Sequence, residues 1–134
     1  MAGQMPETMA ITSSEDVVRV RQKVREWAVA FGFSLVDQTK IVTAASELAR
    51  NTVNYAGSGR VHLAAIHNGS RSGLQLTFED EGPGIPDIEL ALKDGYTTGG
   101  GLGLGLGGAK RLTNEFEISS RSGEGTRVRI IKWK

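Results

Sequence analysis

Apolar residues recur at Val17, Val20, Val24, Trp27 and Ala28, behind the capping pattern Ser13-x-x-Asp16 and ahead of Gly32. Three- and four-residue spacing of this kind predicts an amphipathic helix of about 18 residues. A second capping pattern, Ser34-x-x-Asp37, opens a stripe of Ile41, Ala45, Leu48 and Thr52 that stops before Gly57. It predicts a second helix over roughly 35–56. The periodicity then changes. Val61 to His67 and Leu74 to Asp80 are β-like, and in the latter Leu74, Leu76 and Phe78 alternate with Gln75, Thr77 and Glu79. The turn residues of NGSRSG between them predict an antiparallel hairpin with one covered and one wetter face.

EGPGIP at 81–86 stops the second strand, because its prolines and glycines can continue neither strand nor helix. DIELALKD at 87–94 predicts a short helix, AKRL the body of another, and FEISS and TRVRIIKW two closing strands around RSGEG. The order α, α, β, β, α, α, β, β predicts an α+β sandwich, a mostly antiparallel mixed sheet covered on one face by helices. The chain, 1–134, fits a single domain, with residues 1–8 as a flexible start.

Composition removes several function classes. Hydrophobic residues are 39% and charged residues 23%, with no apolar run long enough to span a membrane. MAGQMPETMA lacks the cationic start and apolar stretch of a secretory signal, which points to the cytoplasm. Cysteine is absent, so disulfides, thiolate metal sites and cysteine nucleophiles are excluded. Net charge is +1, and the basic residues of RVRQKVRE and RVRIIKWK are interleaved with apolar or acidic ones. That argues against the one-sided basic patch of a nucleic-acid binder.

The chemistry begins at TTGGGLGLGLGGAKRL, where six of the nine residues 99–107 are glycine. A flexible linker mixes glycine with polar residues, whereas here Leu102, Leu104 and Leu106 alternate with it. Gly103-x-Gly105-x-x-Gly108 has the letters of a dinucleotide fingerprint, but the preceding IELALKDGYTT is not a buried strand. No Gly-Lys-Ser/Thr follows the glycines, and the VAIK and HRD signatures of protein kinases are absent. A general property remains. Glycines let the backbone approach an anion, and a glycine-rich entry into a helix aims free N–H groups at a phosphate.

In SELARNTVNYA, Glu47, Asn51 and Asn54 stand at i, i+4 and i+7, on one helix face separate from the apolar stripe. An ordinary solvated face has the same composition. Chemically, the amide oxygen of Asn51 suits Mg²⁺, which keeps waters and takes further oxygens from phosphates. Glu47 suits a carboxylate that orients an attacking hydroxyl or accepts its proton. Asp80 closes a strand and can accept a hydrogen bond from an exocyclic amine, with Gly82 and Gly84 letting a flat ring lie against the backbone. A turn aspartate that caps local N–H groups is the alternative.

In this order, a Glu-x-x-x-Asn helix, Asp-x-Gly-x-Gly after a strand and a glycine-leucine segment resemble the GHKL-type ATP-binding fold. That fold is shared by histidine kinases, gyrase, Hsp90 and the bacterial anti-sigma kinases, and the likeness runs from Thr12 to Lys134. SELARN, EDEGPGIPDIE, DGYTTGGGLGLGLGGAKRL and the closing IKWK further resemble the switch serine/threonine kinases of bacterial stress signalling. The resemblance implies a Bergerat-type α/β sandwich that uses ATP and Mg²⁺. It implies Glu47 as catalytic carboxylate, Asn51 as magnesium ligand and Asn54 as a neighbour of the phosphates. Asp80 is implied as the adenine contact, Gly82 and Gly84 as the shape of the base pocket, and Thr126 as a second contact near adenine. Gly99, Gly100, Gly101, Leu102, Gly103, Leu104, Gly105 and Leu106 are implied as a lid over the phosphates.

The partners implied are a STAS-domain antagonist or stressosome-scaffold protein, phosphorylated on Ser or Thr, and then a PP2C-type phosphatase activated by contact. In the competing case the chain is an anti-sigma factor that sequesters a sigma factor with ATP bound. His62 and His67 lie in a strand-like segment and read as structural rather than as phosphorylation sites. No nucleic acid and no membrane is expected as a partner.

Overall fold

The computed structural model describes residues 5–85, 88–92 and 105–134. Its sheet comprises β1 (Glu7–Ile11), β2 (Gly59–Asn68), β3 (Arg71–Asp80), β4 (Glu115–Arg121) and β5 (Gly125–Trp133). They lie in the order β1-β2-β3-β5-β4, and every pairing is antiparallel. The helices are α1 (Ser14–Ala30), α2 (Leu35–Asn51), α3 (Ile88–Ala91) and α4 (Gly105–Arg111), with a π turn over Thr52–Ala56 extending α2.

Alternation along the strands sends two kinds of residue to the two faces of the sheet. Val61, Leu63, Leu74, Leu76, Phe78, Val128 and Ile130 form one face and pack with Val20, Val24, Trp27, Ile41 and Leu48 of α1 and α2. Each such side chain contributes about 1.5–3 kcal/mol on leaving water, which makes this layer the principal stabilising term. The opposite face carries charge. His62 Nε2 lies 2.7 Å from Glu79 Oε1 and its Nδ1 lies 2.8 Å from Thr8 Oγ1. Arg60 and Arg127 also reach Glu79, so this histidine is held in a network of strand side chains.

The structure departs from the sequence expectation at four places. Glu7 and Thr8, expected in a flexible start, belong to β1, whose Glu7–Ile11 pairs with Leu63–Gly59 of β2. The α1 cap is only half a box: the Ser13 side chain makes no cap bond, and the Asp16 carboxylate accepts instead from Thr12 N–H and Thr12 Oγ1, both at 2.8 Å. Ser34 does cap α2, accepting from Asp37 N–H at 3.1 Å. The second helix keeps α geometry only to Asn51. Thr52 there is buried, and its hydroxyl donates back to the Leu48 carbonyl at 3.1 Å, a competing bond of the kind that disturbs a helix. The helix expected over 87–94 appears as the single turn Ile88–Ala91 among the described residues. Ala109, Lys110 and Arg111 of AKRL do lie in the body of a helix, α4, which begins at Gly105, with Gly105, Leu106, Gly107, Gly108 and Ala109 buried where it packs on α2.

Candidate active site

Two ends of a site are built around α2. At the first, Glu47 is 4% exposed, and both of its carboxylate oxygens are engaged. Oε2 accepts from Arg50 Nη1 at 2.6 Å, and Oε1 accepts from the Gly105 N–H at 3.3 Å. A buried carboxylate is tolerated because a guanidinium one turn away neutralises it. The second bond joins α2 to the first residue of α4, 58 positions later in the chain. Asn51 is half-buried one turn beyond Glu47, at the last α-helical residue. Asn54 is exposed and sits within the π turn, whose wider winding takes it out of α-helical register with Glu47 and Asn51.

The other end is made by the sheet. On the helix-facing side, the apolar row Phe78–Val128–Ile118 is succeeded by Asp80, Thr126 and Ser120 across β3, β5 and β4. Asp80 Oδ1 accepts from the Gly82 N–H at 2.9 Å, an Asx turn that swings the chain off the sheet. The π turn abuts this point: a Cβ on Gly82 would stand 2.6 Å from Ala56 Cβ, and one on Gly59 would meet Thr52 Cγ2 at 2.7 Å and Asp80 Cβ at 3.1 Å. Two glycines are required by backbone geometry. Gly84 (φ +81°) presses on the Arg121 carbonyl and Gly125 (φ +101°) on the Asp80 carbonyl, so each needs both a left-handed φ and the absence of a side chain.

The EGPGIP loop is anchored to the β4–β5 turn. Gly123 N–H donates to the Pro83 carbonyl at 2.7 Å, and Ile85 N–H donates to Ser120 Oγ at 2.7 Å. Ser120 was not among the residues singled out from sequence, although a serine at the inward position after Phe116 and Ile118 of β4 was a legible signal. Arg50, the residue next to Asn51 in the chain and bonded to Glu47, was missed because ion pairing at i, i+3 is common on helix surfaces.

The structure thus brings Glu47 to Gly105, and the end of α2 to Asp80 and Gly82, with Thr126 beside Asp80. Gly99, Gly100, Gly101, Leu102, Gly103 and Leu104 lie outside the described residues. Gly105 and Leu106 lie within them as the buried first turn of α4. Among the described residues no three His, Cys, Asp or Glu side chains gather closely enough to hold a metal ion. A divalent ion held here would need ligands from elsewhere, as Mg²⁺ obtains from phosphates and water. The charges outside the cleft form a separate system. Glu79 is held below its ordinary carboxyl range, first by its hydrogen bond from His62 and further by Arg60 and Arg127, while Arg60 is raised by its bond to Glu81.

Comparison with known proteins shows the family of the chain. Residues 36–134 match the family profile of histidine kinase-, DNA gyrase B-, and HSP90-like ATPases. The chain is 48% identical over 123 residues to the serine/threonine-protein kinase RsbT of Bacillus subtilis (strain 168), covering 92% of each chain. It is 29% identical over 134 residues to an anti-sigma F factor of Thermoanaerobacter sp. (strain X514), covering 96% of this chain and 93% of that protein. Among solved structures, the RsbU and RsbW domains of Rv1364c from Mycobacterium tuberculosis superpose with a TM-score of 0.69 at 20% identity. That match covers 98% of this chain and 33% of the other, and it speaks to the fold.

Proposed function

Because the chain belongs to the histidine kinase-, DNA gyrase B-, and HSP90-like ATPase family, we propose that it is an ATP-dependent serine/threonine protein kinase acting in a partner-switching circuit. Its protein substrate is a STAS-domain antagonist or stressosome-scaffold protein, and its later partner a PP2C-type phosphatase. The single observation that carries this most is the junction of α2 and α4, where buried Glu47 meets the Gly105 amide at the end of the glycine-rich segment. A carboxylate placed where the chain leaves that segment is well sited for a phosphoryl group held by the glycines.

In the proposed reaction, Asp80 accepts a hydrogen bond from the base, with Thr126 beside it and Gly82 and Gly84 admitting the ring. Asn51 holds Mg²⁺ through its amide oxygen, and Asn54 with residues 99–106 faces the phosphates. The magnesium ion, when bound, offsets charge on the phosphate oxygens. Glu47 orients the acceptor hydroxyl and takes its proton as the new O–P bond forms, while the bond from the γ-phosphorus to the bridging oxygen breaks and its electron pair leaves with ADP. For that step the hydroxyl approaches a carboxylate whose oxygens already accept from Arg50 and the Gly105 amide, one bond each, with lone pairs left on both. The proposed setting is the cytoplasm; among the described residues no helix is long and apolar enough to cross a membrane.

A second role has its own support, since the chain is 30% identical to an anti-sigma F factor of Anoxybacillus flavithermus (strain DSM 21510 / WK1) over 92% of its length. Incubation with labelled ATP and the STAS-domain and sigma-factor candidates of one genome separates the two. Phosphate transfer to a STAS protein supports the kinase. A stable complex with a sigma factor and no transfer supports sequestration.

A further inference from the structure

Ser120 is the outermost member of the polar row Asp80–Thr126–Ser120, and its hydroxyl has three partners among the described residues. Its Oγ lies 2.7 Å from Ile85 N, 3.1 Å from the Gly125 carbonyl oxygen and 2.8 Å from Thr126 Oγ1. A serine hydroxyl offers one proton and two lone pairs. The Ile85 N–H occupies one lone pair. The Gly125 carbonyl can only accept, so it takes the Ser120 proton. The remaining lone pair then receives the proton of Thr126, and all three contacts are satisfied at once.

This assignment fixes the polarity of Thr126. With its proton committed toward β4, Thr126 Oγ1 has only lone pairs left to offer a ligand, and Asp80 of β3 is its cross-strand neighbour. We propose that Ser120 is a specificity-determining positioning residue, which turns Thr126 into an acceptor and so makes the Asp80–Thr126 edge select a 6-amino purine over a 6-oxo purine. The inference rests on the proposed nucleotide site. An edge made only of acceptors pairs with an amine that donates two hydrogens. A 6-oxo group placed there faces acceptors and leaves buried polar atoms unpaired. Ser120 touches no base itself; it acts through Thr126.

The test is calorimetric titration of ATP and of ITP into the wild-type chain and its variants, read as the ratio of the two dissociation constants. Wild type is expected to prefer ATP by about a hundredfold. Ser120→Ala frees the Thr126 proton to turn toward O6, and the preference narrows by about tenfold. Ser120→Thr, which keeps the hydroxyl, restores it. Thr126→Val narrows the ratio without touching Ser120, which keeps the proposal open to test if Ser120→Ala does not fold. Adding Ser120→Ala to Thr126→Val changes the ratio no further. Loosening of the 81–85 loop alone weakens both nucleotides together and leaves the ratio at the wild-type value. That result overturns the proposal, as does a narrowing by Ser120→Ala that persists in the Thr126→Val background. Failure of the wild-type chain to bind either nucleotide is a different outcome, because it removes the nucleotide site itself.

Discussion

The sheet end and the helix end of the site are built on different principles. Asp80, Thr126 and Ser120 occupy one register row of three hydrogen-bonded strands, so their relative positions are fixed by the backbone ladder. Glu47, Asn51 and Asn54 lie on the last turns of α2 and on a π turn, and Glu47 is satisfied by a side chain and by the first amide of α4. The sheet end has little freedom to change. The helix end holds the Glu47 carboxylate by side-chain and inter-helix bonds rather than by a backbone ladder. In the proposed function, recognition therefore falls to the rigid element and chemistry to the adjustable one.

Substitutions can break this contrast. The largest effect is expected at the sheet end. Asp80→Asn replaces an acceptor by an amide that can present a donor to the base amine, and Mg-ATP affinity measured by calorimetry should fall by about a thousandfold with the fold intact. Glu47→Gln should separate the two ends, keeping ATP binding while lowering phosphoryl transfer by about a hundredfold or more. Full kinase activity in that variant removes Glu47 from the mechanism.

Backbone rigidity at the sheet end is tested by Gly125→Ala, whose Cβ would collide with the Asp80 carbonyl at φ +101°. It should lose about 2–3 kcal/mol of stability in urea denaturation and ATP affinity as well. Gly57→Ala, at φ +82° in open space, should lose only about 1 kcal/mol and leave ATP affinity unchanged. At the helix end, Arg50→Met should destabilise the chain less in a Glu47→Gln background than alone. The coupling in that double-mutant cycle should be about 1 kcal/mol, because Arg50 is partly solvated.

The smallest effect belongs to the open face. Glu79 has its folded pKa depressed, so its contribution to stability is present above its ordinary value of 4.5 and is lost as pH falls through the lower folded value. Glu79→Gln should flatten the acid limb of Tm against pH by under about 1 kcal/mol and leave ATP affinity at neutral pH unchanged.

The same contrast explains what could be read from sequence. The two-layer arrangement was legible because Val17 to Ala28 and Leu74 to Phe78 each carry one clear period. Asp80, Gly82 and Gly84 were legible because a carboxylate and two glycines beside prolines leave few conformations open. β1 was not, since ETMAI is too short to alternate convincingly and is held by pairing with β2, a contact remote in sequence. The π turn was hidden for a related reason. Thr52 and Val53 fit an α-helical stripe, and the packing of Thr52 against Gly59 beneath Asp80 joins residues distant in the chain. Ser120 became meaningful once β4 was placed next to β5 and not next to β3.

The proposed nucleotide site is tested most directly by one titration: ATP into the wild-type chain in a calorimeter, with and without Mg²⁺, repeated with Asn51→Ala. The predicted result is saturable one-to-one binding that is tighter with Mg²⁺ in the wild type, with the Mg²⁺-dependent part lost in Asn51→Ala. Absence of saturable binding, or an affinity in the wild type that ignores Mg²⁺, would contradict it.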